Sequence, residues 1–92
     1  MIKIVGNDIL RSGSKIGWIE SNDIFDHSGK KRGYFTENDI FEYSGKKIGW
    51  VLGNEIHAVG GRAMRLDDNR RIVSGGSYPD IVRAAIRLIL GE

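Results

Sequence analysis

Cysteine is absent from the 92 residues, which excludes disulfide bracing and thiolate metal sites. Histidine is almost absent: His27 and His57 stand alone, so a side-chain metal centre is not expected, and neither is a cofactor. No apolar run approaches the roughly 18 residues of a membrane-crossing helix. The opening Met1-Ile2-Lys3-Ile4-Val5 lacks the apolar stretch of a secretory signal, so a cytoplasmic location without membrane contact is the default. The patterns G-x-S-x-G, H-E-x-x-H and Walker A are missing. An enzyme is therefore not expected, and no catalytic residue is assigned.

Charge of one sign is also scarce. Fourteen Lys and Arg face twelve Asp and Glu, for a net of +2. That excess is too thin for nucleic-acid binding, which draws its affinity from phosphate neutralisation. The excess lies in the last third, which holds Arg62, Arg65, Arg70, Arg71, Arg83 and Arg87. A single small domain has a marginal core unless something assists it. With disulfides and metals excluded, association with copies of itself remains.

What is present in quantity is glycine, thirteen residues against one proline, and it recurs in register. Asn7–Ser21 reads NDILRSGSKIGWIES, Asn22–Glu37 reads NDIFDHSGKKRGYFTE, and Asn38–Gly53 reads NDIFEYSGKKIGWVLG. A fourth copy opens at Asn54 as NEIHAVGG and then drifts. A period of 15 or 16 residues marks a stacked or closed repeat architecture. Each copy reads as a β-hairpin, with Gly13, Gly29 and Gly45 at the left-handed position of a three-residue loop. Gly17, Gly33 and Gly49 lie inside the second strands, which marks close backbone approach. The Asn-Asp pairs at 7–8, 22–23 and 38–39 are turn chemistry joining one hairpin to the next. They read as turns more readily than as a carboxylate ring of Asp8, Asp23, Asp39 and Glu55. Two readings of the fourth copy stay open. Straight alignment puts Arg65 and Leu66 where glycine and tryptophan stood. The preferred reading pairs residues 62–66 with 71–73 across an Asp67-Asp68-Asn69-Arg70 turn. Ile2–Val5 is free to pair with a late strand and close the ring, which removes exposed edges.

The expected fold is therefore mainly β: about four repeated hairpins closed around a pseudo-four-fold axis over residues 1–73. A Gly/Ser linker and C-terminal helix over residues 74–92 pack on that domain or at an oligomer interface. Ser77 is the expected N-cap, with Asp80 at N3 and Gly91 as the stop. From Ile81 to Leu90 only Arg83 and Arg87 are polar. A helix apolar around most of its girth is buried on several sides. The reading favours a second copy as its cover, and the rival is a helix plugging its own ring.

Two features point to a ligand. Trp18, Tyr34 and Trp50 share one repeat position, either as packing or as aromatic faces for a base or sugar ring. Ser74-Gly75-Gly76-Ser77 leads into a helix whose N-terminus favours an anion. Arg62, Arg65, Arg70 and Arg71 lie just upstream, and a plain flexible linker is the rival reading. His27 reads as a turn residue. His57 replaces Leu10, Phe25 and Phe41 of the other copies, as a core histidine or a polar spot.

The runs Ser28-Gly29-Lys30-Lys31-Arg32-Gly33-Tyr34 and Ser44-Gly45-Lys46-Lys47-Ile48-Gly49-Trp50, with a weaker match at Ser12–Trp18, resemble the bacterial four-fold β-flower proteins. The resemblance covers roughly residues 2–73. It implies hairpins about a pseudo-four-fold axis and supplies no catalytic residues. The expected function is a non-enzymatic homo-oligomer that binds or sequesters a small anionic, nucleotide-like ligand, as a phage anti-defence sponge would. The alternative is a structural module that assembles through its C-terminal helix without a ligand.

Overall fold

The computed structural model describes residues 1–61 and 63–91. In chain order it contains β1 (Ile2–Val5), β2 (Asp8–Arg11), β3 (Ser14–Glu20), β4 (Asp23–Asp26), β5 (Lys31–Phe35) and β6 (Asp39–Glu42). Then come β7 (Lys47–Leu52), β8 (Glu55–Ala58), β9 (Met64–Arg65), α1 (Leu66–Ile72), β10 (Val73–Gly75) and α2 (Asp80–Leu90). The strands form one mostly antiparallel meander, closed on one side by β10, which lies parallel to β1. β9 and β10 are the ends of the sheet, and α1 joins them. Four repeated hairpins and a C-terminal helix are thus present as the sequence predicts.

The period-2 pattern decides which side chains face inward. Ile9, Ile24, Ile40 and Ile56 are fully buried, as are Ile2 and Ile4 of β1 to within 1%. Their neighbours Asp8, Asp23 and Asp39 on one side, and Leu10, Phe25 and Phe41 on the other, point outward and are half-buried. The four-fold repeat is visible in one recurring bond. The carbonyls of Asn7, Asn22, Asn38 and Asn54 accept from Ile19, Phe35, Val51 and Leu66 at 2.8–3.0 Å.

The second and third tips are the three-residue loops expected, with Gly29 at φ +89° and Gly45 at φ +94°. The first tip is different. Arg11 pairs directly with Ser14, and both Ser12 (φ 52°) and Gly13 (φ 83°) are left-handed. That is a two-residue loop, made necessary by a copy one residue shorter. The first three hairpins also carry a bulge, since Ile9, Ile24 and Ile40 pair with Gly17, Gly33 and Gly49 while the next residues pair with Lys15, Lys31 and Lys47. The extra residue in each case sharpens the local twist and helps curl the sheet.

The strand glycines are spacers. A Cβ at Gly17 would lie 2.1 Å from the Phe25 carbonyl oxygen. At Gly33 it would lie 2.7 Å from Ile89 Cδ1, and at Gly49 2.5 Å from Leu88 Cδ1. The close approach read from the sequence is thus partly to the next strand and partly to α2.

α2 touches β4, β5, β6, β7, β10 and α1 of its own chain. Val82, Ala84, Ala85 and Ile86 are buried. The buried face of α2 is covered by its own chain: the sheet curls around it, and α1 covers part of the remainder. The accessible surface of 5337 Å² equals what a compact monomer of this mass exposes, about 5,350 Å².

Three expectations are corrected. Asp67–Arg70 is the middle of α1, not a hairpin turn: Asp67 and Asp68 in its first turn and Arg70 and Arg71 in its last complement the helix dipole. The fourth hairpin pairs Ile56 with Met64 and Glu55 with Arg65. Met64 therefore stands in the glycine position and Arg65 in the aromatic one, a residue off the straight alignment. The N-cap of α2 is Pro79, not Ser77, because Ser74 and Gly75 continue the sheet as β10 and the turn begins only after them.

Candidate functional site

On the outer wall the repeat builds one constellation three times. Trp18 pairs across strands with Phe25, Tyr34 with Phe41, and Trp50 with His57. The rings stack with centroids 5.3, 4.9 and 5.3 Å apart and planes within 12°. Lys15, Lys31 and Lys47 lie over Trp18, Tyr34 and Trp50, with Nζ 5.2, 4.9 and 5.3 Å from the ring centroids. Each lysine is held by the aspartate that opens its hairpin, at 3.0 Å for Asp8, 3.1 Å for Asp23 and 2.9 Å for Asp39. These aspartates are lysine partners, not a shared ring. The aromatics sit outside the core, and each already has a ring and a cation against it. His57 takes the ring position of a phenylalanine, with Nε2 3.6 Å from Glu55.

The arginine and loop residues lie elsewhere, at the seam of the ring, so the structure does not bring them together with the three aromatics. Arg70 forks onto Asp80, with Nε to Oδ1 at 3.0 Å and Nη2 to Oδ2 at 2.6 Å, and Nη1 reaches Asp67 at 2.8 Å. Asp80 holds Arg70 firmly protonated, and the Arg70 hydrogen bonds hold the Asp80 carboxyl below its ordinary value. Arg65 lies 4.0 Å from Asp67 and Arg71 is exposed on α1. Arg62 lies outside the described residues. Ser74 and Gly75 are strand residues, and Gly76 and Ser77 form the exposed turn after them. That turn presents carbonyls to α2. Arg83 donates to the oxygens of Gly75 (2.8 Å), Gly76 (3.5 Å) and Tyr78. A Cβ on Gly75 would meet the Ile4 carbonyl at 2.5 Å. The segment is thus packed strand and turn, fixed by an arginine from α2.

The second tip is organised by Asp26. Its carboxylate accepts from Ser28 Oγ at 2.5 Å and from the N–H groups of Ser28 and Lys30 at 3.0 and 3.1 Å. The Ser28 bond, then those N–H groups and Arg32, draw its pKa down to about 2 against desolvation.

One of the three wall sites differs from the others. Tyr78, in the lead-in to α2, donates its hydroxyl to Oδ1 of Asn7. It thereby walls a cleft of about 410 Å³ over the first repeat, lined by Asn7, Asp8, Lys15, Trp18, Glu20 and Tyr78 among others. Sequence reasoning singled out Trp18 but missed Tyr78, Asn7 and Glu20. The contact spans 71 positions, and no local pattern announces it. A second cleft, lined by Leu52, Gly53, Asn54, Glu55 and Arg65, is the fourth-repeat counterpart with arginine in place of the ring. Among the described residues no group of three or more His, Asp or Glu stands close enough to hold a metal ion, and no helix is long and apolar enough to cross a membrane.

A family model, that of the 4-fold beta flower protein, matches residues 10–79. No curated protein and no solved structure matches the chain.

Proposed function

The chain belongs to the four-fold β-flower family, and from that premise we propose that it is a non-enzymatic module that binds a small, ring-bearing, hydroxyl-rich ligand of the nucleoside or nucleotide type in the Trp18–Tyr78 cleft. The observation that carries the reading is the Tyr78–Asn7 bond, by which the tail completes one aromatic site out of three equivalents. The volume of about 410 Å³ falls in the range of small-molecule sites, about 300–1,000 Å³. Trp18 and Tyr78 offer ring surface. The carboxylates of Asp8 and Glu20 accept hydroxyl protons, and Asn7 offers an amide. Among the described residues Lys15 is the one cation lining the cleft, so a single phosphate suits it better than a polyphosphate. A binder of this kind acts by holding its ligand, as an anti-defence sponge does.

The test uses Trp50→Phe, which leaves Trp18 as the sole indole. Nucleosides, nucleoside monophosphates, nucleoside triphosphates and free sugars are titrated while Trp18 fluorescence is followed, with calorimetry on the unmodified chain. Saturable binding of nucleosides or monophosphates, weakened about tenfold or more by Tyr78→Ala, is expected. No saturable signal from any member of the panel overturns the reading.

A further inference from the structure

An up-and-down chain sends its turns alternately to two rims. The joints β1–β2, β3–β4, β5–β6 and β7–β8 lie at one rim, and the hairpin tips β2–β3, β4–β5, β6–β7 and β8–β9 at the other. The repeat carries Asn-Asp at the joints and Ser-Gly-Lys at the tips, so the rims differ in charge. Within residues 5–8, 20–23, 36–39 and 52–55 the charged side chains are Asp8, Glu20, Asp23, Glu37, Asp39 and Glu55, with no Lys or Arg. Within 11–15, 26–32 and 42–47 there are seven Lys and Arg against Asp26 and Glu42. Lys15, Lys31 and Lys47 reach along the wall to their aspartates. That leaves Glu20, Glu37 and Glu55 exposed on the joint rim, where Arg65 stands across from Glu55, and Lys30, Arg32 and Lys46 exposed on the tip rim, where Arg32 also reaches Asp26 at 3.5 Å.

The same two rims carry the unfinished apolar surface. Among the described residues the exposed large hydrophobics are Met1, Val5, Tyr43, Leu52 and Val59. Val5 and Leu52 lie at the acidic rim. Tyr43 and Val59 lie at the basic rim, where they border a cleft of about 390 Å³ floored by Ile48, Leu88 and Ile89. The wall between, by contrast, is finished with stacked rings. α2 runs in the same sense, its N-terminus beside Asn7 of the acidic rim and its last carbonyl, Gly91 O, bonded by Arg11 of the basic rim at 2.7 Å. The helix dipole therefore complements the charge of each rim.

We infer that copies of this chain stack head to tail, the acidic rim of one on the basic rim of the next. Val5 and Leu52 then meet Tyr43, Val59 and the cleft between them, and Glu37 and Glu55 face Lys30, Arg32 and Lys46. Opposite charge steers the two rims together, and like charge opposes the head-to-head arrangement. Such a contact is heterologous, so it grows as an open stack instead of closing as a two-fold dimer.

Sedimentation velocity of the full chain over a concentration series tests this. At about 0.05 M ionic strength the mean mass rises with concentration, and association weakens about tenfold or more at about 0.5 M as the rim charges are screened. Lys30→Glu with Lys46→Glu makes both rims acidic, and Glu37→Lys with Glu55→Lys turns the joint rim basic, so that both rims are basic. Each double variant alone stays monomeric, and an equimolar mixture regains association. All four positions are exposed, so circular dichroism should remain that of the folded chain. The salt dependence of the unmodified chain stands as evidence whatever the variants do. A chain that is monomeric throughout at low salt overturns the inference. So does an assembly of fixed size that neither charge reversal alters. None of the four positions lines the Trp18–Tyr78 cleft, so ligand binding reads that proposal separately.

Discussion

Replacing Gly17 with alanine is the sharpest test of how the hairpins crowd. The new Cβ would stand 2.1 Å from the Phe25 carbonyl oxygen, 3.2 Å from its carbon and 3.3 Å from Asp26 Cα. All three are backbone atoms, so no rotamer change relieves them. β3 and β4 must part locally by about 1 Å, which takes a 2.9 Å ladder bond beyond hydrogen-bond range. One or two such bonds cost about 1 kcal/mol each, and overpacking adds about 1–3 kcal/mol. The expected loss is about 2–5 kcal/mol, a large share of the roughly 5–14 kcal/mol that a chain of this length holds. Gly33→Ala and Gly49→Ala should cost less, about 2–3 kcal/mol. Part of their crowding comes from the mobile ends of Ile89 and Leu88, although carbonyls stand at 2.5 and 2.6 Å. Gly13→Ala meets nothing within 4 Å and carries only the left-handed backbone penalty, about 1–2 kcal/mol. Urea unfolding followed by tryptophan fluorescence and far-ultraviolet circular dichroism measures all four. If Gly17→Ala loses no more stability than Gly13→Ala, the crowding explanation of the strand glycines fails.

Two other perturbations probe the tail and the tips. Arg83→Met keeps the stem and removes the donors to the carbonyls of Gly75, Gly76 and Tyr78. A loss of about 1–3 kcal/mol in urea unfolding is expected, with faster hydrogen exchange at β10; an unchanged midpoint would show the turn to be fixed by packing alone. The Asp26 carboxyl is lowered from 3.8 to about 2 in the folded chain. Its contribution is therefore complete above about pH 4 and is lost as the pH falls towards 2. Asp80, lowered chiefly by Arg70, acts in the same direction. Asp26→Asn and Asp80→Asn should each flatten the acid limb of the midpoint-against-pH curve and leave its neutral plateau parallel to the parent's. A limb as steep in the double variant as in the parent would refute both assignments.

The hairpins were legible because the same local chemistry recurs with the period. Asp-Ile-Phe, Ser-Gly-Lys and Gly-Trp each state a strand or a turn, and repetition confirms each reading in the next copy. The lysine–aspartate pairs were within reach of the same logic, since Asp8 and Lys15 recur as Asp23 and Lys31 and as Asp39 and Lys47. α1 was not legible, because Asp-Asp-Asn serves a turn and a helix start equally well. What decides between them is tertiary. Leu66 is buried and Asn69 is 1% exposed, with its Oδ1 accepting from Arg87 of α2 at 3.3 Å. The Ser-Gly-Gly-Ser segment misled for a related reason. Glycine there reads as looseness, yet Gly75 is required where the backbone of β10 presses on Ile4. The outward direction of Trp18, Tyr34 and Trp50 follows from the strand period, but their stacking partners follow only from the register between hairpins.

A closed repeat tends to make its own wall inert. Trp18, Tyr34 and Trp50 each find a ring, Lys15, Lys31 and Lys47 over them each find an aspartate, and the first three copies repeat the solution. Specificity therefore has to come from where the symmetry fails, and here it fails in three places. The shorter first copy is the one the tail reaches, so Tyr78 walls a cleft beside Trp18. The fourth copy substitutes Arg65 for the ring and hands the chain to α1. The rims are satisfied only in part by the repeat, through Asp26 with Arg32 at one tip and the three lysines that reach the joint aspartates. A small-molecule site at the first break and self-association at the rims are thus separate consequences of one architecture: the wall absorbs its own polar groups, and only its interruptions and ends are left to bind anything else.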